Sequence, residues 1–270
     1  RYMKKNIKFL IISFTLFIVV MYGHNNCKAA TKCINIDSGS GNSQYDITGN
    51  GKKDLIKNSS GNNCALYING KQVFKPDNKA EYLSVKLYPL NKKTIYFVIS
   101  ENYMESDEIC GYSMYQYKSG KLEKLCDFYN PVVKNINNIY FGVNIEHISN
   151  NKVTVLCHNQ FGGTGILYWK MVYQCQNGKW RLKGNSYKVT EAAAQDRKLT
   201  ASMKINIYVK PGSKTILYTI KPGDIITVNR IYIKNKKVHI QAVNSKGETG
   251  WFKSPRKIAK YFKEAAFPGY

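Results

Sequence analysis

Near its carboxyl end the chain completes a series of short strands with Gly247-Glu248-Thr249-Gly250-Trp251-Phe252. Residues 203–209 alternate between apolar and polar side chains, as in a strand with one buried face. Further apolar runs follow between turn-forming residues, at 216–220, 225–233 and 238–243. Five short strands within about 50 residues predict a small closed barrel, an arrangement that leaves no free sheet edge.

This segment, residues 201–253, resembles a bacterial SH3-like (SH3b) domain. The resemblance rests on Ile207-Tyr208 in the first strand, the turn Lys221-Pro222-Gly223-Asp224 and the final Gly-x-Thr-Gly-Trp-Phe. Domains of this family commonly attach secreted proteins to peptidoglycan or other wall components, or bind peptides, and are not catalytic. Many members carry an arginine after the first strand, whereas Lys210 is the nearest basic residue here. Four aromatic residues are the candidate ligand-binding residues: Tyr208, Tyr218, Tyr232 and Trp251.

The positive charge is concentrated in the same part of the chain. The whole sequence has a net charge of +24, and residues 197–270 hold 16 basic and 3 acidic residues, a net charge of +13. A segment this basic attracts polyanions such as nucleic acid, anionic lipid or a phosphate-rich wall polymer.

The amino terminus indicates which of these polyanions the protein meets. A lysine-rich segment at 3–8 and a 15-residue apolar run at 9–23 predict a secretory signal over residues 1–30. The run is short for a membrane-spanning helix, although an uncleaved anchor is the alternative, and no second apolar segment approaches spanning length. We therefore expect a secreted or cell-wall-associated protein. Its partner would be a cell-wall polymer or another extracellular polyanion rather than nucleic acid.

Residues 31–188 predict a second β-rich unit, an antiparallel sandwich or a propeller-like domain. Its β-branched and aromatic runs are bounded by polar turns, and Asn69-Gly70, Ser119-Gly120 and Asn177-Gly178 are hairpin signals. Residues 189–200 predict a linker with a short helix at 190–196, where three alanines follow a capping threonine. The basic tail, residues 254–270, is expected to contain a short helix and to dock on the barrel.

The six cysteines that follow the predicted signal all precede residue 176. They are Cys33, Cys64, Cys110, Cys126, Cys157 and Cys175. In an exported protein this number is compatible with up to three disulfides, and buried free thiols are the alternative. Cys157 and His158 are neighbours in a predicted strand, so their side chains are expected on opposite faces.

A glycine-rich loop at residues 46–54 has oxygen-bearing groups at alternate positions, which suits a hard cation such as calcium. The loop resembles the calcium loops of FG-GAP or VCBS-type repeats, although two lysines lie within it. A plain turn held by hydrogen bonds to the backbone is the alternative. The candidate ligands are Asp46, Thr48, Asn50, the carbonyl of Lys52, and Asp54.

These features predict an exported, non-catalytic cell-surface protein whose basic SH3-like domain binds peptidoglycan or teichoic acid. The alternative is a wall- or glycan-active hydrolase with its catalytic residues in 31–188. Glycosidic hydrolysis needs two carboxylates at a fixed separation. The candidates come from an acidic segment that holds Glu101, Glu105, Asp107 and Glu108, and Glu105 with Glu108 is an example of such a pair. A cluster of acids is also typical of a solvated loop.

Overall fold

The computed structural model describes residues 33–39, 41–61, 64–76, 80–103, 109–134, 136, 141–161, 163–192, 197–255 and 261–264. The predicted signal segment at 1–30 and the candidate carboxylates Glu105 and Glu108 lie outside these residues. Within them, every helix is too short or too polar to cross a membrane.

The described chain consists of antiparallel β-sheets and one short helix, which confirms the all-β prediction. The first strands are β1 (Ile34–Ile36), β2 (Gly41–Asn42), β3 (Ile56–Ser59), β4 (Ala65–Ile68), β5 (Lys71–Phe74), β6 (Tyr82–Asn91), β7 (Thr94–Asn102), β8 (Ile109–Lys118) and β9 (Lys121–Asp127). After helix α1 (Asn130–Val133) come β10 (Gly142–Ile148), β11 (Lys152–Phe161), β12 (Gly165–Gln176), β13 (Lys179–Leu182), β14 (Ser186–Ala192), β15 (Lys198–Thr200), β16 (Ile205–Tyr208), β17 (Ile216–Ile220), β18 (Ile225–Lys234), β19 (Lys237–Val243) and β20 (Thr249–Lys253).

Two-residue turns set the register of several hairpins. Asn69-Gly70, Ser119-Gly120 and Asn177-Gly178 form the turns that the sequence predicted, and both residues of each turn have positive φ. This geometry matches the right-handed twist of the strands that each turn joins. Asn235-Lys236 forms the same kind of turn between β18 and β19, with φ of 52° and 57°, although it contains no glycine.

A five-stranded sheet, ordered β1-β6-β7-β8-β9, forms the middle layer of the fold. Successive side chains of a strand point to opposite faces. Phe97 and Ile99 of β7 therefore pack with the four-stranded sheet β2-β3-β4-β5, whereas Tyr96 and Val98 join the core beneath a third sheet. Both faces of β7 are buried, which agrees with the unbroken apolar run at 95–99 within the strand.

The third sheet is the longest and runs β10-β11-β12-β14-β18-β19-β20-β16-β17, with β13 on β12 and β15 on β18. Strand β14 joins the two halves of this sheet, one formed by β10 to β13 and the other by β15 to β20. Val189 pairs with Trp169 of β12, while Ser186 to Lys188 pair with β18. The core is also continuous, since Trp169 and Val189 belong to the same cluster as Phe252. The predicted boundary after residue 188 therefore falls inside β14.

Two predictions for this part of the chain are wrong. Within the described strands the carboxyl-terminal segment does not close into a barrel, because β14 and β15 occupy the side of β18 that a closing strand would use. β17 consequently pairs only with β16 and forms a sheet edge. The predicted helical connector is a strand over residues 190–192, since pairing with β12 outweighs local helix propensity. Residues 193–196 lie outside the described residues.

The tail packs against the long sheet, as predicted. Phe262 is 1% exposed and lies 5.8 Å from the ring of Phe252. The Glu264 carboxylate accepts hydrogen bonds from the backbone N–H and the hydroxyl of Thr200, at 2.7 and 2.6 Å. The predicted tail helix falls largely on residues 256–260, outside the described residues.

No disulfide joins any two of these six cysteines, all of which lie in the described residues. Burial, together with the nearby Glu101 and Cys110, raises the pKa of Cys64 to about 11. Cys157 is completely buried and its neighbour His158 is half-buried, in line with their expected placement on opposite faces. Deeply buried thiols with raised pKa values are poor nucleophiles at neutral pH.

Candidate ligand-binding face

Over strands β14, β18, β19, β20 and β16, one face of the long sheet packs on the core and the other face points outward. Ile231, Ile240 and Phe252 point into the core, so their neighbours along each strand point outward. Residues that are directly opposite across two strands share a face. The outward residues therefore form rows across the sheet. Two such rows, described next, together make up a surface that we call the outer face.

The longer row crosses five strands. Its members are successive cross-strand partners: Lys188, Arg230, Gln241, Trp251 and Tyr208. Adjacent strands lie about 4.8 Å apart, so the row is about 19 Å long. The two basic residues are exposed and the other three are half-buried. The row thus has a cationic end on β14 and β18 and an aromatic end on β20 and β16.

A shorter row lies beside the first and consists of Ser186, Tyr232, His239 and Lys253. The Tyr232 ring is in edge contact with the ring of Trp251, at 6.3 Å between centroids, and with His239, at 6.1 Å. These contacts connect the two rows. Two residues beyond the pair of Tyr232 and His239, Lys234 of β18 is paired with Lys237 of β19. This second pair extends the basic surface.

The structure brings together three of the four predicted aromatic residues. Tyr208, Tyr232 and Trp251 are half-buried on the outer face. Tyr218 instead pairs with the buried Ile207 and packs against the core. Its hydroxyl donates to the carbonyls of Ala242 and Glu248, at 3.3 and 3.2 Å. Burial, and to a lesser extent the Glu248 charge, raise the pKa of Tyr218 to about 12.

The basic residues of the outer face keep their charges available. Lys188, Arg230, Lys234, Lys237 and Lys253 form no ion pair with any acid in the part of the chain that the structure describes. The Arg230 guanidinium is oriented by donating to the Ser186 hydroxyl at 3.0 Å and to the Ser186 carbonyl at 2.9 Å. These bonds hold the side chain in place without neutralising it.

His239 lies within this positive surface and is only 6% exposed. Burial, and then the charges of Lys253 and Lys237, lower its pKa below the ordinary value. The imidazole is therefore uncharged at neutral pH. Its buried Nδ1 finds no hydrogen-bond partner among the described residues.

Sequence reasoning identified the aromatic residues of this face but missed Lys188, Arg230, Gln241 and His239. The alternation within 225–233 contained a usable signal for Arg230, because it places this residue on the same face as Tyr232. Lys188 carried no such signal. Its position depends on the pairing of β14 with β18, a contact between distant parts of the chain.

The predicted calcium loop is held by hydrogen bonds within the chain. The Asp46 carboxylate accepts from the backbone N–H groups of Gly49, Asn50 and Gly51, at 2.7 to 3.0 Å. The side-chain oxygen of Asn50 accepts from the backbone N–H of Lys52 at 2.8 Å.

Asp54 closes the other side of the loop. It is 1% exposed and accepts from the backbone N–H groups of Ile47 and Thr48, the Thr48 hydroxyl and the Asn69 amide, at 2.5 to 3.0 Å. In the described residues no three His, Cys, Asp or Glu side chains are grouped as a metal site. Since N–H donors already surround both carboxylates, the residues present do not fit an open cation site. Calcium binding stays a prediction, and no step of the proposed function passes through it.

Comparisons with protein-family models, curated proteins and solved structures found no match to this chain.

Proposed function

We propose that this chain is an exported, non-catalytic bacterial cell-surface protein whose basic SH3-like segment, residues 201–253, binds a cell-wall polymer through the outer face. The observation that supports this most is the grouping of three predicted aromatic residues with five basic residues that lack a described acidic partner. Aromatic rings provide flat apolar area for sugar or polyol units, and the cations attract anionic groups.

The outer face itself is suited to binding rather than to glycosidic hydrolysis. The outer face contains cations, hydroxyls and one half-buried amide, but neither of its rows contains a carboxylate. Hydrolysis of a glycosidic bond needs an acid and a second carboxylate. The function supported best is therefore adhesion to a polymer that carries negative charge.

Co-sedimentation with purified bacterial cell walls tests this function. We expect the chain from residue 31 onward to sediment with the walls at about 0.1 M NaCl and to be released toward about 1 M NaCl, because the Debye length falls from about 10 Å to about 3 Å. Absence of retention at low salt would refute the proposal.

Trp251→Leu examines the aromatic part of the face, because leucine keeps apolar volume on the strand and removes the ring. Losing a central aromatic contact costs about 1 to 2 kcal/mol, so binding should weaken about 5- to 30-fold. Tyr67→Leu is the matched control, since Tyr67 is a half-buried aromatic residue of the four-stranded sheet. Equal binding by wild type and Trp251→Leu, with unchanged melting temperatures, would show that Trp251 is not part of the site.

A further inference from the structure

The outer face extends past the segment that resembles an SH3-like domain. Lys188 and Ser186 belong to β14, which pairs with β12 through residues 189–192 and with β18 through residues 186–188. Lys188 begins the longer row, and Ser186 orients Arg230. The cationic end of the face is therefore built jointly by β18, within that segment, and β14, which precedes it.

The hydrogen-bonding character of this face indicates the chemistry of its ligand. Lysine and arginine side chains donate hydrogen bonds and cannot accept them, and the tryptophan indole is also only a donor. The acceptors in the two rows are Gln241, Ser186, the tyrosine hydroxyls and one nitrogen of the neutral His239 imidazole. The Ser186 oxygens already accept from Arg230, and His239 is only 6% exposed. Neutral sugar hydroxyls need acceptors as well as donors, whereas phosphate and carboxylate oxygens only accept. The face is thus complementary to anionic oxygens.

The spacing of the cations favours a polymer over a single small anion. Neighbouring strands are about 4.8 Å apart, and the basic residues are distributed over β14, β18, β19 and β20. At about 0.1 M salt the Debye length of about 10 Å covers two strand spacings, so adjacent cations act together on a chain of regularly spaced charges.

We propose that the ligand of the outer face is a linear polymer with regularly spaced phosphodiester groups, which lies along the row from Lys188 and Arg230 to Trp251 and Tyr208. This inference rests on the proposed function, because it specifies which wall polymer the same face binds. Arginine provides a planar pair of donors for phosphate oxygens and lysine provides a point charge. The ring of Trp251 packs against the uncharged units between phosphates.

His239 gives this binding a characteristic pH dependence. The groups that face it are Tyr232 from β18, Lys253 from β20 and Lys237 from its own strand. None of these groups carries a negative charge. When no ligand is bound, the nearby lysine charges therefore disfavour protonation of His239. A bound polyanion reverses the local potential and favours protonation. Affinity should consequently rise as the pH falls from about 7.5 to about 5.5.

Titration calorimetry with the chain from residue 31 onward separates the possible ligands. The probes are purified teichoic acid, inorganic polyphosphate, polygalacturonate as a carboxylate polymer, and peptidoglycan stripped of anionic polymers. We expect teichoic acid and polyphosphate to bind more tightly than the other two. Tighter binding of polygalacturonate would overturn the phosphodiester assignment, and equal binding of stripped peptidoglycan would overturn the anionic assignment while keeping the proposed wall-binding function.

Lys188→Gln and Arg230→Gln test whether β14 contributes to the site. Each change should weaken teichoic acid binding about 3- to 10-fold and reduce the slope of log affinity against log salt by about 0.5 to 1. Lys121→Gln, an exposed lysine of the five-stranded sheet, is the control and should change neither value. If Lys188→Gln binds like wild type while Trp251→Leu is weakened, the site ends before β14 and the inference fails. If wild type binds none of the probes, the proposed function fails with it.

Discussion

Replacing the buried Asp54 carboxylate by an amide should destabilise the fold strongly. Its oxygens accept four hydrogen bonds, from the Ile47 and Thr48 backbones, the Thr48 hydroxyl and the Asn69 amide. In Asp54→Asn an NH2 group replaces one carboxylate oxygen and faces two of these donors, and the negative charge that strengthens all four bonds is lost. A hydrogen bond to a charged group contributes about 1.5 to 3 kcal/mol, and bonds within one network do not add fully. We expect a loss of about 3 kcal/mol in the free energy of unfolding.

The pH dependence of this loss distinguishes a charged carboxylate from a neutral one. Burial favours a higher pKa for Asp54, but the hydrogen bonds from Thr48, Asn69 and Ile47 outweigh burial and lower it. A carboxyl group with a lowered pKa in the folded state stabilises the fold above its unfolded pKa of about 3.9. That contribution is lost as the pH falls through the folded pKa.

Urea denaturation followed by circular dichroism measures the difference between wild type and Asp54→Asn from about pH 7 to about pH 3. The difference should be largest near neutral pH and shrink in acid. A difference below about 0.5 kcal/mol at pH 7, or one that does not change with pH, would refute this account of Asp54. Asp46→Asn serves as the control and should cost about 1 kcal/mol or less, since the bonds to Asp46 lie in an exposed part of the loop.

Calcium can be added to the same experiments. A calcium-dependent rise in the melting temperature of wild type that both loop variants abolish would support the predicted calcium site. An unchanged melting temperature would show that hydrogen bonds alone close the loop.

Three further substitutions probe the carboxyl-terminal half. Gly250→Ala should cost about 1 to 3 kcal/mol in thermal or urea unfolding, because a Cβ there would clash with Cγ2 of Ile207; an unchanged stability would contradict this contact. Tyr218→Phe should lose about 1 kcal/mol of stability and keep full affinity for cell walls, and weaker wall binding without unfolding would place Tyr218 in the site after all. Phe262→Ala should cost about 3 to 5 kcal/mol, since the ring is fully buried, and a loss below about 1 kcal/mol would show that the tail does not dock there.

Local signals in the sequence were sufficient for many of the strands and turns. The run at 216–220 coincides with β17, and the Asn-Gly hairpins occur where predicted, because alternation and positive φ depend only on neighbouring residues. The alanines after Thr190 indicated a helix for the same local reason. Instead, Glu191 and the first alanine, Ala192, end a strand, because β12 provides pairing partners that no nearby residue reveals.

The candidate site was predictable only in part, since it depends on pairings between distant strands. Trp251 and Tyr232 could be named as aromatic candidates, but their proximity to Lys188 follows from the contact of β14 with β18. Tyr218 was predicted to be a ligand-binding residue with them. Alternation along a strand separates its two faces, but it does not show which of the two faces packs on the core. Tyr218 lies opposite Ile207, whose side chain is buried in the core.

Covalent footprinting of the wild-type chain with and without teichoic acid tests the central claim most directly. Hydroxyl radicals oxidise exposed aromatic side chains, and mass spectrometry reports the protection of each one. We predict that the polymer protects Tyr208, Tyr232 and Trp251 together, while Tyr67 on the four-stranded sheet is labelled as before. Protection of Tyr67 without protection of these three residues would contradict the assignment of the outer face as the binding site.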